Sequence, residues 1–140
     1  MDYAKIEMTV TQIVEQMDAG TLIAPCLINS IENYSDIIQS ILMRFPMMPM
    51  VMLVDSEGKL HVIDGHARIE AIHQFVKMKY VLEGLELIPE INGKSFEVLD
   101  KQFQRRIMET SFVVYTMPDR VEEKYLWAFL KQFNYKGKWN

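Results

Sequence analysis

Within four residues, Asp64 to Ala67, the hydrophobic period of this chain changes from that of a strand to that of a helix. Leu60, Val62 and Ile63 read as an apolar strand. Ile69, Ile72 and Val76 recur at helical spacing, so Asp64-Gly65-His66-Ala67 forms the corner between the two. A helix start leaves several backbone N–H groups without partners and carries partial positive charge, which suits a phosphate or a carboxylate. A guanidinium in the first turn opposes the helix dipole by roughly 0.3–1 kcal/mol. Helical side chains lean back toward the N-terminus, so Arg68 would point at an anion held there, and that anion would offset the penalty. The same residues also fit a plainer reading, in which Asp64 caps the helix, Gly65 relieves the turn and Arg68 pairs with a surface carboxylate.

With 140 residues, 49% of them apolar, the chain is expected to form one domain, residues 1–140, with a substantial core. Fifteen basic against nineteen acidic residues give a net charge of -4, which argues against a broad nucleic-acid footprint. The single cysteine, Cys26, excludes an internal disulfide and a multi-cysteine zinc site. Asp2, Lys5 and Glu7 precede any apolar run, unlike a signal peptide, and no run of about 18 apolar residues is present to span a bilayer. A cytoplasmic location without membrane contact is the expectation.

Thr9 and Gln12 match a capping box, opening a helix through Ile13, Val14 and Met17 that Asp18-Ala19-Gly20 stops. Thr21 to Ile28 is extended, and Pro25 restricts it to a sheet edge or an irregular arm. Asn33 is read as the cap of a second helix with Ile37, Ile38, Ile41, Leu42 and Phe45 on one face, closed by Pro46. Met47 to Val54 leads into a strand that returns through Asp55-Ser56-Glu57-Gly58-Lys59 to Leu60, making a hairpin that feeds the corner. The methionines are assigned to core filling. The corner helix is expected to run to Tyr80, and Asn92-Gly93 predicts a second small hairpin. Phe96, Leu99, Phe103 and Ile107 predict an amphipathic helix, with Lys101, Arg105 and Arg106 on its solvated face. Phe112 to Tyr115 predicts a strand broken at Met117-Pro118. Asp119 and Glu122 predict a capped last helix through Tyr125, Leu126, Phe129, Leu130 and Phe133. The basic stretch from Lys131 to Asn140 is expected to be loose.

His61, Asp64, His66 and His73 are metal-ligating residue types, yet their spacing opposes a shared ion and no metal site is expected of the protein alone. His66 and His73 stand about 10 Å apart along a helix axis. His66 at the corner is a candidate general base, with a hydrogen-bonded structural histidine the commoner meaning. Neither a P-loop nor a serine hydrolase signature occurs.

The stretch Val62 to Ala71 resembles the "IDGHxRxEA"-like box of the ParB/sulfiredoxin superfamily. The surrounding order is similar to the N-terminal domain of GmrSD-type modification-dependent restriction systems. Ile37 to Leu42 with Pro46 and Pro49 is similar to that family's "LIxSILxxxPxPP" stretch, Asp64-Gly65-His66-Ala67-Arg68 to its "DGQQR" box, and Phe129 to Asn134 to its "FxxxN" segment. The resemblance covers residues 9–137. It implies an α+β ParB-like fold, a small mixed sheet with hairpins flanked by four to five helices. By the same resemblance the phosphate or nucleotide ligands are Asp64, Gly65, His66, Ala67, Arg68 and Asn134, with Asp64 and His66 as the catalytic candidates and magnesium arriving with a nucleoside triphosphate. Gly65 would let phosphate approach the backbone, and Arg68 would neutralise it bidentately. The chain departs from the family in the arm, where Ala24 to Ser30 lacks its "QR" pair, and in the box, where His66 and Ala67 replace two glutamines. Sulfiredoxin chemistry, which needs a corner cysteine, is excluded. The resulting expectation is a nucleotide or phosphate-ligand-binding domain, a weak phosphohydrolase at most, linked to mobile-element or anti-phage systems. A non-catalytic interaction or regulatory protein comes second and a ParB-like nuclease or DNA-binding subunit third. A protein partner or a homodimer is left open, and DNA is reached only indirectly.

Overall fold

The computed structural model describes residues 2–24 and 31–132, with the side chains of 31 and 32 excepted. Its framework is β1 (Ala4–Thr9), α1 (Val10–Ala19), β2 (Leu22–Ile23), α2 (Ile31–Leu42), β3 (Met50–Val54), β4 (Leu60–Asp64), α3 (His66–Val76), α4 (Lys101–Glu109), β5 (Ser111–Pro118) and α5 (Glu123–Leu130). The fold is α+β, one five-stranded mixed sheet of order β1-β5-β3-β4-β2 with helices packed on it. β1 runs antiparallel to β5 and β3 antiparallel to β4, while β3–β5 and β2–β4 are parallel.

Alternation decides which residues reach the core. Met8, Phe112, Val114, Met50, Met52, Val62 and Leu22 share the face on which the helices bury Ile13, Ile37, Ile38, Ile41, Ile69, Ile72 and Phe75. Met50 and Met52 are fully buried, so the methionine-rich strand is core. α5 lies on the outer face, where Phe129 packs edge-on against Tyr115 at 5.7 Å between ring centroids.

Several expectations hold. Thr9 caps α1 through the full capping box, accepting from the Gln12 amide at 3.1 Å while the Gln12 side chain accepts from the Thr9 amide at 2.9 Å. The Asp55 to Lys59 turn closes the hairpin, and β2 lies at the sheet edge. Others are corrected. The polar start of the chain is a strand, β1, whose Lys5 and Glu7 face outward in the ladder with β5. Asn33 lies inside α2. Asn92-Gly93 makes no hairpin, because Asn92 takes φ -57° and Gly93 φ +85°, the signs of a type II turn, whereas a type I′ hairpin needs both positive. The Asn92 side chain instead bonds both main-chain groups of Leu85, at 2.9 and 3.2 Å, and the segment forms two 3-10 turns, Pro89–Ile91 and Phe96–Val98. α3 ends at Val76, short of Tyr80, and β5 continues through Met117 to Pro118. α5 begins at Glu123 and carries no side-chain cap. Cys26, Phe133 and the rest of the tail lie outside the described residues.

Three helices end in the same way. Around Gly20, Arg44 and Met78 the next amide bonds back to the carbonyl five residues earlier, the Schellman closure, with the named residue at positive φ. Only one of the three is glycine. A left-handed non-glycine residue costs about 1–2 kcal/mol, and the greater freedom of unfolded glycine returns about 0.4–1 kcal/mol of that. Met78→Gly is therefore expected to raise the unfolding free energy by about 0.5–1 kcal/mol, measured by urea titration.

Candidate functional site

The corner sits where β4 ends and α3 begins. The ladder between β3 and β4 slips by one residue, pairing Met52 with Val62 but Val51 with Asp64. This bulge re-aims Asp64, as bulges beside functional sites commonly do. Gly65 follows at φ +119° as the N-cap of α3 and supplies no side-chain cap. A Cβ there would lie 2.7 Å from Cγ and Sδ of the buried Met50. The glycine is thus fixed by backbone sign and by Met50 packing, which fills the close approach that the resemblance assigned to phosphate.

α3 is not a half-exposed amphipathic helix. Ala67 through Ile72 are all buried, including Arg68 and Glu70, because α1, α2 and the 3-10 turn Phe96–Val98 pack against the helix. Arg68 is 1% exposed, and its guanidinium does not open toward solvent. Nη1 donates to the Met48 carbonyl and Nη2 to the Pro49 carbonyl, the latter at 3.4 Å. The arginine thereby clamps the segment leading into β3. A surface ion pair is not its role.

Asp64 is the opposite case. Its Oδ2 is buried and has no hydrogen-bond partner among the described residues. Burial raises its carboxyl pKa above the usual aspartate range, and the charges of Arg68 and His66 only partly counter this. Asp64 does not cap α3, since the cap position belongs to Gly65. His66 and Ala67 are the first residues of the helix, His66 half-buried and Ala67 buried. The structure therefore brings Asp64, Gly65, His66, Ala67 and Arg68 to one corner. Asn134 lies outside the described residues.

The other two histidines are occupied elsewhere. His61 Nε2 meets Asp55 at 2.8 Å, and His73 Nε2 meets Asp18 at 2.9 Å, beside Lys77 at 2.9 Å. These bonds hold the Asp55 and Asp18 carboxyls below their usual range. Among the described residues no three His, Cys, Asp or Glu side chains gather into a metal-ligating group. No described helix is long and apolar enough to cross a membrane.

Two clefts lie away from the corner. One of about 460 Å³ opens between Asp2 to Ala4, Val54 to Ser56 and Pro118 to Arg120. The other, of about 440 Å³, opens among the ends of α2 and α4 and the start of β5. The second has two arginines on its walls that sequence reasoning assigned to a solvated face or passed over. Their meeting depends on tertiary packing and left no local signal.

No protein-family model, curated protein or solved structure matches this chain.

Two outcomes follow from the corner's geometry. Arg68→Ala removes charge-assisted bonds to two carbonyls and opens a buried cavity, so a loss of about 3 kcal/mol or more is expected in denaturant unfolding. For Asp64, a folded pKa raised above the ordinary 3.8 means the folded state binds the proton more tightly, so stability falls as pH rises through the folded value. Asp64→Asn is expected to abolish that fall and to be more stable than the parent at pH 7. Equal pH profiles for parent and variant in thermal melts would contradict the assignment.

Proposed function

We propose that the β4–α3 corner binds a phosphate-bearing small molecule, a nucleotide being the best fit. The observation that carries this reading is the buried Asp64 Oδ2 without a partner, set beside a helix start that no side chain caps. Buried polar atoms are almost always satisfied, and a carboxylate oxygen left over among the described residues can be met by a group that arrives with a ligand. Phosphate oxygens suit amides at a helix start that no side chain caps, and a hydroxyl or a cation suits the carboxylate. The sequence resemblance to the ParB/sulfiredoxin box supports the same ligand class.

The donor set accommodates magnesium in one manner only. Asp64 supplies a single carboxylate oxygen, and the remaining positions would be filled by ligand phosphate and water, a common pattern for this ion. Bound so, the ion would neutralise phosphate charge beside the carboxylate. Arg68 is a positioning residue in this reading, holding the lead into β3 while its charge keeps Asp64 more acidic than burial alone would allow. His66, whose charge also acts on Asp64, is the group placed to hold or move a proton at the corner. Hydrolysis is a secondary question to binding.

A second reading, a non-catalytic interaction protein in which the box serves the fold, is favoured by the commitment of Arg68 to main-chain carbonyls. Calorimetric titration with nucleoside triphosphates, with and without magnesium, separates the two. Saturable binding by the parent, weakened at least about tenfold in a folded Asp64→Asn variant when magnesium is present, is expected. Binding by no nucleotide under either condition would sink the nucleotide reading and leave the interaction protein.

A further inference from the structure

The cleft between α2, α4 and β5 has two arginines among its lining residues, Arg44 and Arg106. Arg106 is preorganised on one wall. Its Nη1 donates to the Leu42 carbonyl at 3.0 Å, and its guanidinium lies 5.8 Å from the centroid of Phe103. Two residues past Leu42, Arg44 stands on the same cleft, exposed; its amide bonds the Ile41 carbonyl, and its guanidinium has no hydrogen bond or ion pair among the described residues. Arg106 alone could be explained as a countercharge to the carbonyl ends of α2 and α4. Arg44 could not, because its φ of +58° is the position where glycine closes a helix at least cost. The chain holds a strained guanidinium there, facing a cleft.

The floor of the cleft is the beginning of β5. The Val10 amide donates to the Thr110 carbonyl and the Asp119 amide to the Val54 carbonyl, each at 2.9 Å. Main-chain groups alternate sides along a strand, so even-numbered residues of β5 face β1 and odd-numbered ones face β3. The β3 ladder begins only at Met50, opposite Val114. One step earlier, the Met48 carbonyl is turned away to Arg68, and Pro46 and Pro49 have no amide to donate. The first rung takes the Val113 carbonyl, so Ser111 and the Val113 amide are the β5 groups that face the cleft with no strand beside them among the described residues. Ile41, Phe45 and Met47 supply apolar wall, with Phe45 46% exposed. The exposed carboxylate of Glu109 on the same cleft opposes a doubly charged anion more than a singly charged one.

We propose that this cleft binds the free carboxy terminus of an extended peptide ending in an apolar residue. The carboxylate lies on Arg44 and Arg106, the last peptide group runs along Ser111 and Val113, and the terminal side chain enters between Phe45 and Met47. Capture of a terminal carboxylate and strand addition to an open flank are both established modes of peptide recognition, and paired guanidinium groups suit a carboxylate.

The test is calorimetric titration of the full chain with acetylated tripeptides ending in Leu, Phe, Met or Val, each as the free acid and as the carboxamide. Saturable binding of at least one acid is expected, with its amide weaker by about tenfold or more. Arg44→Gly, which removes the guanidinium and suits the backbone, is expected to lower affinity at least about fivefold while the melting temperature stays level or rises. Arg106→Gln is expected to weaken binding in the same direction. The proposal is overturned if no acid saturates at millimolar concentration, if an amide binds as well as its acid, or if folded Arg44→Gly binds like the parent. Full displacement of the peptide by an equal concentration of inorganic phosphate would also overturn it, showing an unspecific anion hole.

Discussion

A buried guanidinium bonded to two consecutive carbonyls, those of Met48 and Pro49, is the interaction on which the rest of the arrangement depends. Taking a charge out of water is unfavourable by several kcal/mol unless its donors are met. Arg68 meets two of them with main-chain oxygens, and that of Met48 is the one a prolonged β3 would have offered to β5. The clamp thus does two things together. It ties α3 to the lead into β3, seating Met50 against Gly65, and it ends the β3–β5 ladder at Met50 and Val114. The shape of the corner and the open flank of β5 are consequences of the same pair of bonds.

Buried polar side chains act elsewhere in the same way, as partners for irregular main chain. Ser35 accepts from the Glu83 amide at 3.0 Å and Gln39 from the Leu87 amide at 2.9 Å, so α2 supplies the hydrogen bonds that a strand would have supplied to residues 83–87. The Tyr80 hydroxyl donates to the Ala71 carbonyl at 2.8 Å, and its burial raises its pKa well above the usual phenol range. A loop can run against a core only when its amides and carbonyls are paired. Here α2 and Asn92 do that pairing, which is why the segment needs no second hairpin.

The elements easiest to read in the sequence were those whose information is local. The capping box at Thr9 and Gln12, the Asp55 to Lys59 turn and the change of period at Asp64 to Ala67 each lie within a few residues, and each formed where expected. β1 was missed because three of the six residues in Ala4–Thr9, namely Lys5, Glu7 and Thr9, are polar and break the apolar pattern of a strand, although β5 gives them a ladder partner. Asn92-Gly93 misled because dipeptide preference is silent on the sign of φ at Asn92, which the bonds to Leu85 decide. The corner itself was legible as a position but not in its chemistry. Nothing in the spacing of Arg68 says that α1 and α2 would both cover it, since burial is set by elements remote in sequence. The pairing of Arg44 with Arg106 across 62 positions is of the same kind.

Within one box of five residues, two opposite charges meet opposite fates. Both Nη groups of Arg68 meet main-chain acceptors, whereas Asp64 keeps a buried oxygen that nothing described satisfies. If the box served the fold alone, the first would be sufficient. An amide side chain at position 64 would carry no charge to desolvate, and the bulge at Val51 would have no reason to re-aim it. A group that opposes stability is tolerated as long as the fold stays above its threshold. The fold uses the two Nη groups of Arg68 to hold the lead into β3. Asp64 keeps a buried carboxylate oxygen unsatisfied among the described residues, and the proposed ligand would supply its partner at the start of α3.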